Sequence, residues 1–530
     1  MPKAGRTVKL RGSSAFGALL LFVASSIAGL TGRAGAQDAA RGPLVDANTL
    51  DEVADYISAQ RDATGIPGLA AAVVHGDEAV LLQGFGRTET DGDAVDPDAP
   101  FFIASLSKSL TAIAVMQLVE QGSLRLDEPV STYLPELGNN ADEVSIRRLL
   151  HHRSGLSTYN GRDPIAGGDG ESLESNVARL GPHLERDAAY RYSNANYDAL
   201  ALIVQRVSGV SFSDYMRRNV FEPLQMDRSF VDRDEAVKEG LVQGHYHWLF
   251  GGYRPHDARM PKGMAGSATM FSSAGDLANV LSLHLNRGSF RGEQILSEAS
   301  MRETHKPAEY AQESPERYAM GWYVLPAFGP RATTDPGLTD LTMLYHDGLW
   351  STYRSIMWMV PEAELGFVLL ANGSDLADDT TLPQIGRGVR ALLFGLEPPA
   401  IEAGSELLER WGKHLLLAVV VIQIALAAWT VLVLRRAKRE RRFGRAAWTN
   451  LALATALDFV AVVLLVWIVP AAGESPLAVP LGYPDYRILF AGMIAGVAWG
   501  LVRTGLAATL LVRRGDGTHS PKSGVRPRRR

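Results

Sequence analysis

The stretch Phe101-Phe102-Ile103-Ala104-Ser105-Leu106-Ser107-Lys108 runs directly into Leu110-Thr111-Ala112-Ile113-Ala114-Val115-Met116, and this passage decides how the chain is read. The apolar residues of the second part, with Leu118 and Val119, recur at helical spacing, so a helix is expected over 106–121 with Ser105 at its N-terminus. Lys108 stands about one turn further on the same face, within reach of the Ser105 hydroxyl. A serine hydroxyl attacks only when something takes its proton. A lysine does so only where burial, nearby cations and the positive helix end disfavour its charged form. Alone, Ser-x-x-Lys is weak, met about once by chance in a chain this long, and its plain alternative is a helix cap beside a solvated lysine.

Two further words change those odds. Tyr192-Ser193-Asn194 adds a phenol able to relay protons and a carboxamide able to hold both a substrate amide and the lysine. His346-Asp347-Gly348 ends the apolar run 341–345, and its glycine lets a substrate backbone lie against a strand edge. In this order and at these separations, the three words resemble the serine beta-lactamase and penicillin-binding-protein superfamily, particularly its class C-like branch. The flanks agree: Leu149-Leu150-His151-His152-Arg153-Ser154-Gly155-Leu156 resembles the branch's Leu-Leu-x-His-x-Ser-Gly-Leu stretch, and Gly266 through Asp276-Leu277-Ala278 resembles its later turn into a helix. The resemblance covers roughly residues 45–397.

The resemblance implies that Ser105 attacks an acyl carbonyl while Lys108 and Tyr192 remove and return protons. Asn194, His346 and Gly348 would bind substrate, and the backbone N–H groups of Ser105 and Leu349 would form the oxyanion hole. No cofactor and no metal are expected. Asp347 departs from the branch, where a small or hydroxyl residue is common, and bulky Leu349 and Trp350 follow it. Adjacent His151 and His152 cannot face one point from a regular helix, so they are read as ordering a loop, as are His245 and His247. The chain has no cysteine and no His-Glu-x-x-His, which argues against a metal hydrolase. It also lacks Gly-x-Ser-x-Gly, which argues against an alpha/beta-hydrolase.

Period and punctuation predict a helix near 47–62, strands near 68–75 and 78–86, and helices near 195–208, 212–219 and 274–286. Strands follow near 319–325, 341–347, 353–360 and 366–371, with a closing helix at 381–395. The expected fold is α+β: one antiparallel sheet flanked by helices, with a helical region inserted between its first and last strands, followed by a three-helix transmembrane bundle.

The ends address the chain to a membrane. Lys3, Arg6, Lys9 and Arg11 precede an apolar stretch and Ala34-Gly35-Ala36, so 1–36 reads as a signal peptide, with an uncleaved anchor as the alternative. The hydrolase domain is placed at 37–400, a tether at 401–413, spans at 414–434, 448–469 and 487–512, and a basic cytoplasmic tail at 513–530. Arginines cluster at 435–442 and after 512, while 470–486 carries acidic residues and no lysine or arginine, so the positive-inside rule puts the catalytic domain outside. The whole chain carries −5; residues 1–36 carry +5 and the stretch from Lys413 carries +12, leaving −22 on the exported part. Such a domain repels nucleic acid. Asp458 and Arg503 reach similar depth in the second and third spans and are expected to pair, with Gln423 of the first span nearby. Gly492, Gly496 and Gly500 form a stripe that permits close helix contact.

The expected function is a membrane-anchored serine hydrolase, periplasmic or extracellular, cleaving an amide or ester through a Ser105 acyl-enzyme. D-amino-acid peptidase or carboxypeptidase, esterase and beta-lactamase-like activities all fit the resemblance. The order of signal, class C-like domain and three spans also resembles prodrug-maturing peptidases that remove an acyl-D-asparagine. An acylated membrane sensor is a reading of another class. The partners are a small-molecule or peptide substrate, membrane lipid and a membrane partner met through the bundle.

Overall fold

A computed structural model describes residues 42–89, 92–157, 172–186, 188–308, 317–329, 333, 335–374, 380–400, 407–440, 444–468 and 484–515. The signal-peptide reading and the C-terminal tail beyond 515 lie outside the described residues. The helix α1 (Ala47–Thr64) begins where Asp46 accepts a hydrogen bond from the Thr49 N–H and stops at Gly65, whose φ of 71° suits glycine. Strands β1 (Gly68–His75) and β2 (Glu78–Gly86) follow, and then α2 (Ser107–Glu120), which carries the first word. The inserted region holds α3 (Asn194–Ser208), the hairpin β3 (His245–His247) and β4 (Tyr253–Pro255), and α4 (Ala274–Leu285). The chain then returns to the sheet through β5 (Arg317–Tyr318), β6 (Tyr323–Pro326), β7 (Thr342–Leu349), β8 (Arg354–Val360) and β9 (Leu365–Ala371). After the two-residue β10 (Gly373–Ser374) comes the closing helix α5 (Thr381–Leu393).

The sheet order is β2-β1-β9-β8-β7-β6-β5, and each neighbouring pair is antiparallel. First and last parts of the chain therefore meet at β1 and β9, with Leu69 opposite Ala371 and Val73 opposite Phe367. The central strands read as continuous apolar runs because both faces are covered. Leu69, Ala71 and Val73 join α1 and α5 in one core; Ala70, Ala72 and Val74 join α2, α3 and α4 in the other. The α+β class is as expected.

Two local readings differ. The strand expected over 319–325 is strand only from Tyr323, in β6; residues 319–322 are the turn of a hairpin in which Tyr323 pairs with Tyr318, and Gly321 at φ 84° packs on the start of α2, where a Cβ would lie 2.7 Å from the Ser109 Cα. The helix expected over 212–219 is α-helical only to Met216 and continues as a π-turn over Arg217–Phe221.

Three C-terminal helices are long and apolar enough to cross a membrane: α6 (Leu407–Glu440), α7 (Arg445–Val463) and α8 (Pro484–Gly515). The helix α6 starts inside the stretch read as a tether, whose residues 401–406 lie outside the described residues. Arg503 donates to Asp458 at 2.7 Å, and Gln423 reaches the other Asp458 oxygen at 3.3 Å. The glycine stripe is the surface on which this happens. A Cβ on Gly492 would lie 2.7 Å from Val420; on Gly496 it would meet the Gln423 amide, and on Gly500 the Asp458 carboxylate. Small residues let the backbones close until the polar groups meet.

Arg503→Leu would strand Asp458 among apolar helices, and a lone charge left in such a place costs about 3 kcal/mol or more. Either single reversal, Asp458→Arg or Arg503→Asp, is expected to lower the thermal unfolding midpoint of the detergent-solubilised protein. The double reversal should recover most of the loss; no recovery would mean that the pair does not hold the bundle.

Candidate active site

Ser105, the candidate nucleophile, sits on a tight turn. Ala104 adopts φ 46°, a left-handed conformation uncommon for a non-glycine residue, and Ala104–Leu106 forms a single 3-10 turn before α2 begins. The turn is pinned from behind: the Ser107 hydroxyl donates to the Ala104 carbonyl at 2.7 Å, and the Ser355 hydroxyl donates to the Ile103 carbonyl at 2.7 Å. Gly348 of β7 lies directly against it. A Cβ there would come within 2.6 Å of the Ile103 carbonyl and 3.0 Å of the Ala104 Cβ. The glycine expected to admit substrate is thus required by the nucleophile turn itself.

Around Ser105 the three words converge. The Lys108 amine lies 3.0 Å from the Ser105 Oγ, and the Tyr192 hydroxyl donates to the same oxygen at 2.9 Å. Lys108 also donates to the Asn194 carboxamide oxygen and the Ser267 carbonyl, both at 2.8 Å. Those two partners only accept, so they take two N–H groups and, in a neutral amine, leave the lone pair facing Ser105. Ser105 and Tyr192 keep partly exposed faces, whereas Lys108 has none.

Electrostatics favour that neutral amine. Burial pushes the Lys108 pKa down to about 7, against the opposing pull of Asp198 and Asp347. Asp198 is 2 % exposed and stands one turn beyond Asn194 on α3; Ser267, the residue whose carbonyl Lys108 touches, works against the effect of burial on the Asp198 carboxyl. Burial raises the Asp198 pKa, so both members of this buried pair are driven toward their uncharged forms. Burial also holds the Tyr192 phenol well above its ordinary range, although the Ser105 contact works the other way; it is a donor, not a phenolate.

His346 is where the third word was expected, but both ring nitrogens are occupied within the protein. Nδ1 lies 2.7 Å from its neighbour's carbonyl, Asp347 O, which makes it the protonated nitrogen; Nε2, 3.2 Å from the Tyr318 hydroxyl, then accepts. Burial, with Lys108 nearby, pushes its pKa down to about 3. His346 is a neutral strut that orients Tyr318. The strand still offers an edge: β6 pairs with β7 only as far as Tyr345, so the backbone of 346–349 has no strand partner on that side among the described residues.

Three supporting residues escaped the sequence reading of the site. Ser267 and Asp198 both lie far from Lys108 in the chain: Ser267 falls in the Gly266–Ala278 stretch but takes no part in the site as read from sequence, and Asp198 stands in no motif. His152, read as ordering a loop, does so: its Nδ1 accepts the Ser193 N–H at 3.2 Å, and its ring packs 4.5 Å from those of Tyr192 and Tyr318. The Leu-Leu-x-His stretch was the available signal. Among the described residues no group of three histidine, aspartate or glutamate side chains is placed to hold a metal ion. His245 and His247 lie on β3, away from Ser105.

The chain matches the family model described as Beta-lactamase over residues 53–387. It is 24% identical to Protein flp of Staphylococcus aureus (strain MRSA252) over 320 residues, 58% of this chain and 60% of that protein, so it spans about 60% of the length of these relatives. It is 29% identical to Penicillin-binding protein 4 of Amycolatopsis lactamdurans, over 60% of this chain and 84% of that one. The fold superposes on the octameric penicillin-binding protein homologue of Pyrococcus abyssi with a TM-score of 0.56, at 24% identity, covering 69% of this chain and 81% of that one. With the class C beta lactamase of Rhodobacter sphaeroides the TM-score is 0.53, at 22% identity, covering 66% and 98%.

Labelling of Ser105 by a fluorophosphonate should rise about tenfold per pH unit below pH 7 and level off above it, because only the deprotonated Lys108 amine takes the proton. A rate independent of pH across that range would remove the lysine. Gly348→Ala should push β7 off the nucleophile turn, costing about 1–3 kcal/mol in thermal unfolding and cutting kcat/KM.

Proposed function

This chain belongs to the beta-lactamase family, and on that premise we propose that it cleaves an amide or ester through an acyl-enzyme on Ser105, facing the outside of the membrane that holds its C-terminal helices. The observation that carries the reading is the shared contact of Lys108 and Tyr192 with one oxygen, the Ser105 Oγ. Neutral Lys108 takes the hydroxyl proton as Ser105 bonds to the acyl carbon. As the carbonyl reforms and the bond to the leaving group breaks, Tyr192 passes its proton to the leaving group and takes in return the proton held by Lys108, so that both are again neutral. Water then attacks the ester and the same groups return the proton. Asn194 holds the lysine in line and shares its carboxamide with the substrate. The backbone N–H groups of Ser105 and Leu349 receive the developing oxyanion, a role supported by the close approach of Gly348 to the turn before Ser105.

The charge on β7 narrows the acyl donor. A substrate ending in a carboxylate needs a cation beside this strand. His346 is buried and neutral there, and the acidic side chain of Asp347 acts on Lys108, Tyr192 and Tyr323. This favours neutral esters and amides, an N-acyl-D-asparaginyl amide among them, over penicillins and peptides ending in D-Ala-D-Ala. Placement of the domain outside rests on the arginines clustered at the C-terminal ends of α6 and α8.

With detergent-purified protein, a p-nitrophenyl ester and an N-acyl-D-asparaginyl amide should turn over many times per enzyme, and a D-Ala-D-Ala peptide far less. Asp347→Asn is expected to raise kcat/KM for the carboxylate-bearing peptide roughly fivefold. A single burst without turnover on every substrate would instead identify an acylated sensor. Ser105→Ala should abolish all of these activities and labelling by a penicillin or fluorophosphonate probe.

A further inference from the structure

The β3–β4 hairpin touches none of the reacting groups. At its root it belongs to the catalytic domain: β3 runs parallel to β10, and the His245 N–H donates to the Asn372 carbonyl at 2.7 Å. At its other end it meets the membrane helices. Lys413, near the outer end of α6, is 5 % exposed; its amine donates to the Tyr246 hydroxyl at 3.2 Å and to the His247 carbonyl at 2.7 Å. The same amine pairs with Asp485, in the first turn of α8, at 3.3 Å, and Asp485 accepts the Leu249 N–H from the hairpin turn. The Tyr246 ring lies 4.6 Å below the Lys413 amine and shares a buried cluster with Tyr486, Phe490 and Met493, on which Trp248 and Leu416 pack. One ion pair thus binds the hairpin to two spans at once.

This docking leaves the tip of the hairpin, Trp248-Leu249-Phe250-Gly251-Gly252, beside the outer ends of α6 and α8. Gly251 and Gly252, at φ 92° and 78°, make a turn that side chains rarely allow, and it thrusts Phe250 outward to 73 % exposure. The apolar surface does not stop there. Trp411 and Leu415 on α6 and Ile488 on α8 are exposed at the same ends of the helices that are apolar enough to cross a membrane. The Arg254 guanidinium stacks 5.3 Å from the Trp248 ring, a cation at the level where phosphates lie.

We propose that the turn Trp248–Gly252 is a second membrane contact, in which Phe250 and Trp248 enter the headgroup–acyl boundary of the outer leaflet. The occupant of this surface is lipid, because the surface continues the lipid-facing sides of α6 and α8 and ends in aromatic side chains of the kind that settle at the interface. The catalytic domain then lies docked on the bilayer. Its cleft is fixed at one height, since the residues entering β3 hold the strand next to β7: the Tyr353 hydroxyl donates to the Val242 carbonyl at 2.6 Å, and Gly244 has no side chain to displace the Tyr353 ring.

The chain has no cysteine, so Phe250→Cys provides a unique site for a bimane label in the full-length protein reconstituted into phospholipid nanodiscs. Exposed Glu293→Cys, on a surface turn of the catalytic domain, is the aqueous control. The label at 250 should be quenched by lipids carrying a nitroxide near the headgroup and should be several-fold less sensitive to aqueous iodide than the label at 293. Equal iodide quenching at the two positions would overturn the proposal. So would a label at 250 shielded from iodide and lipid nitroxide alike, which would mean that protein covers the turn.

Discussion

Everything the site does depends on taking one amine out of water without giving it a carboxylate to rest on. Among the described residues no acid stands within ion-pair distance of Lys108, which is fully buried and instead meets a carboxamide oxygen, a carbonyl and the nucleophile. Had Asp198 touched the amine directly, the pair would hold its proton and Ser105 would find no base. Ser267 stands between them, so the acid moderates the lysine without capturing it. The core around α2 and α3 serves this end: it closes over the Lys108 amine together with the Ser267 segment and the Tyr192 ring.

The same constraint explains the backbone around Ser105. A buried lysine is useful only if the hydroxyl is held at its lone pair, and three structural choices hold it there. Ala104 accepts a left-handed conformation, Ser107 and Ser355 tie down the carbonyls of that turn, and Gly348 yields the space into which it fits. His346 and His152 brace the tyrosine wall from the other side: His346 accepts from Tyr318, and His152 packs between Tyr192 and Tyr318. Both histidines are held neutral by burial, so they brace without adding a cation beside Lys108.

What sequence could reveal was what repeats locally. The apolar period located α1, α2, α3, α4 and α5 within a few residues, and β1 and β2 at their observed bounds. It placed the start of β6 too early, at 319, because a turn over 319–322 packed on Ser109 precedes the strand in the same apolar run. Within the site, Ser105, Lys108, Tyr192 and Asn194 were legible because they stand in motifs. Ser267 and Asp198 were not, because their part in the site comes only from the way the segment around 264–269 is clamped between α2 and α3. The motif marked His346 but not what holds it: Nδ1 donates to the Asp347 carbonyl and Nε2 accepts from Tyr318, a residue outside the motif.

The membrane helices show the opposite solution to the same problem. Arg503 and Lys413 are buried too, at 2 % and 5 % exposed, yet each meets a carboxylate directly, Asp458 at 2.7 Å and Asp485 at 3.3 Å. A guanidinium cannot give up its proton in a protein, so a buried arginine needs an acid. A lysine has a choice, and the distance to the nearest carboxylate makes it. With no carboxylate at ion-pair distance, Lys108 is free to act as the base proposed for it; pressed against Asp485, Lys413 is a structural bolt between domain and bundle. The Asp458–Arg503 pair could be anticipated from helix rise alone, since both partners lie in regular spans whose ends are marked by arginines. The Lys413–Asp485 pair could not, because its geometry is set by Tyr246 and the hairpin turn, which reach it from a distant part of the chain.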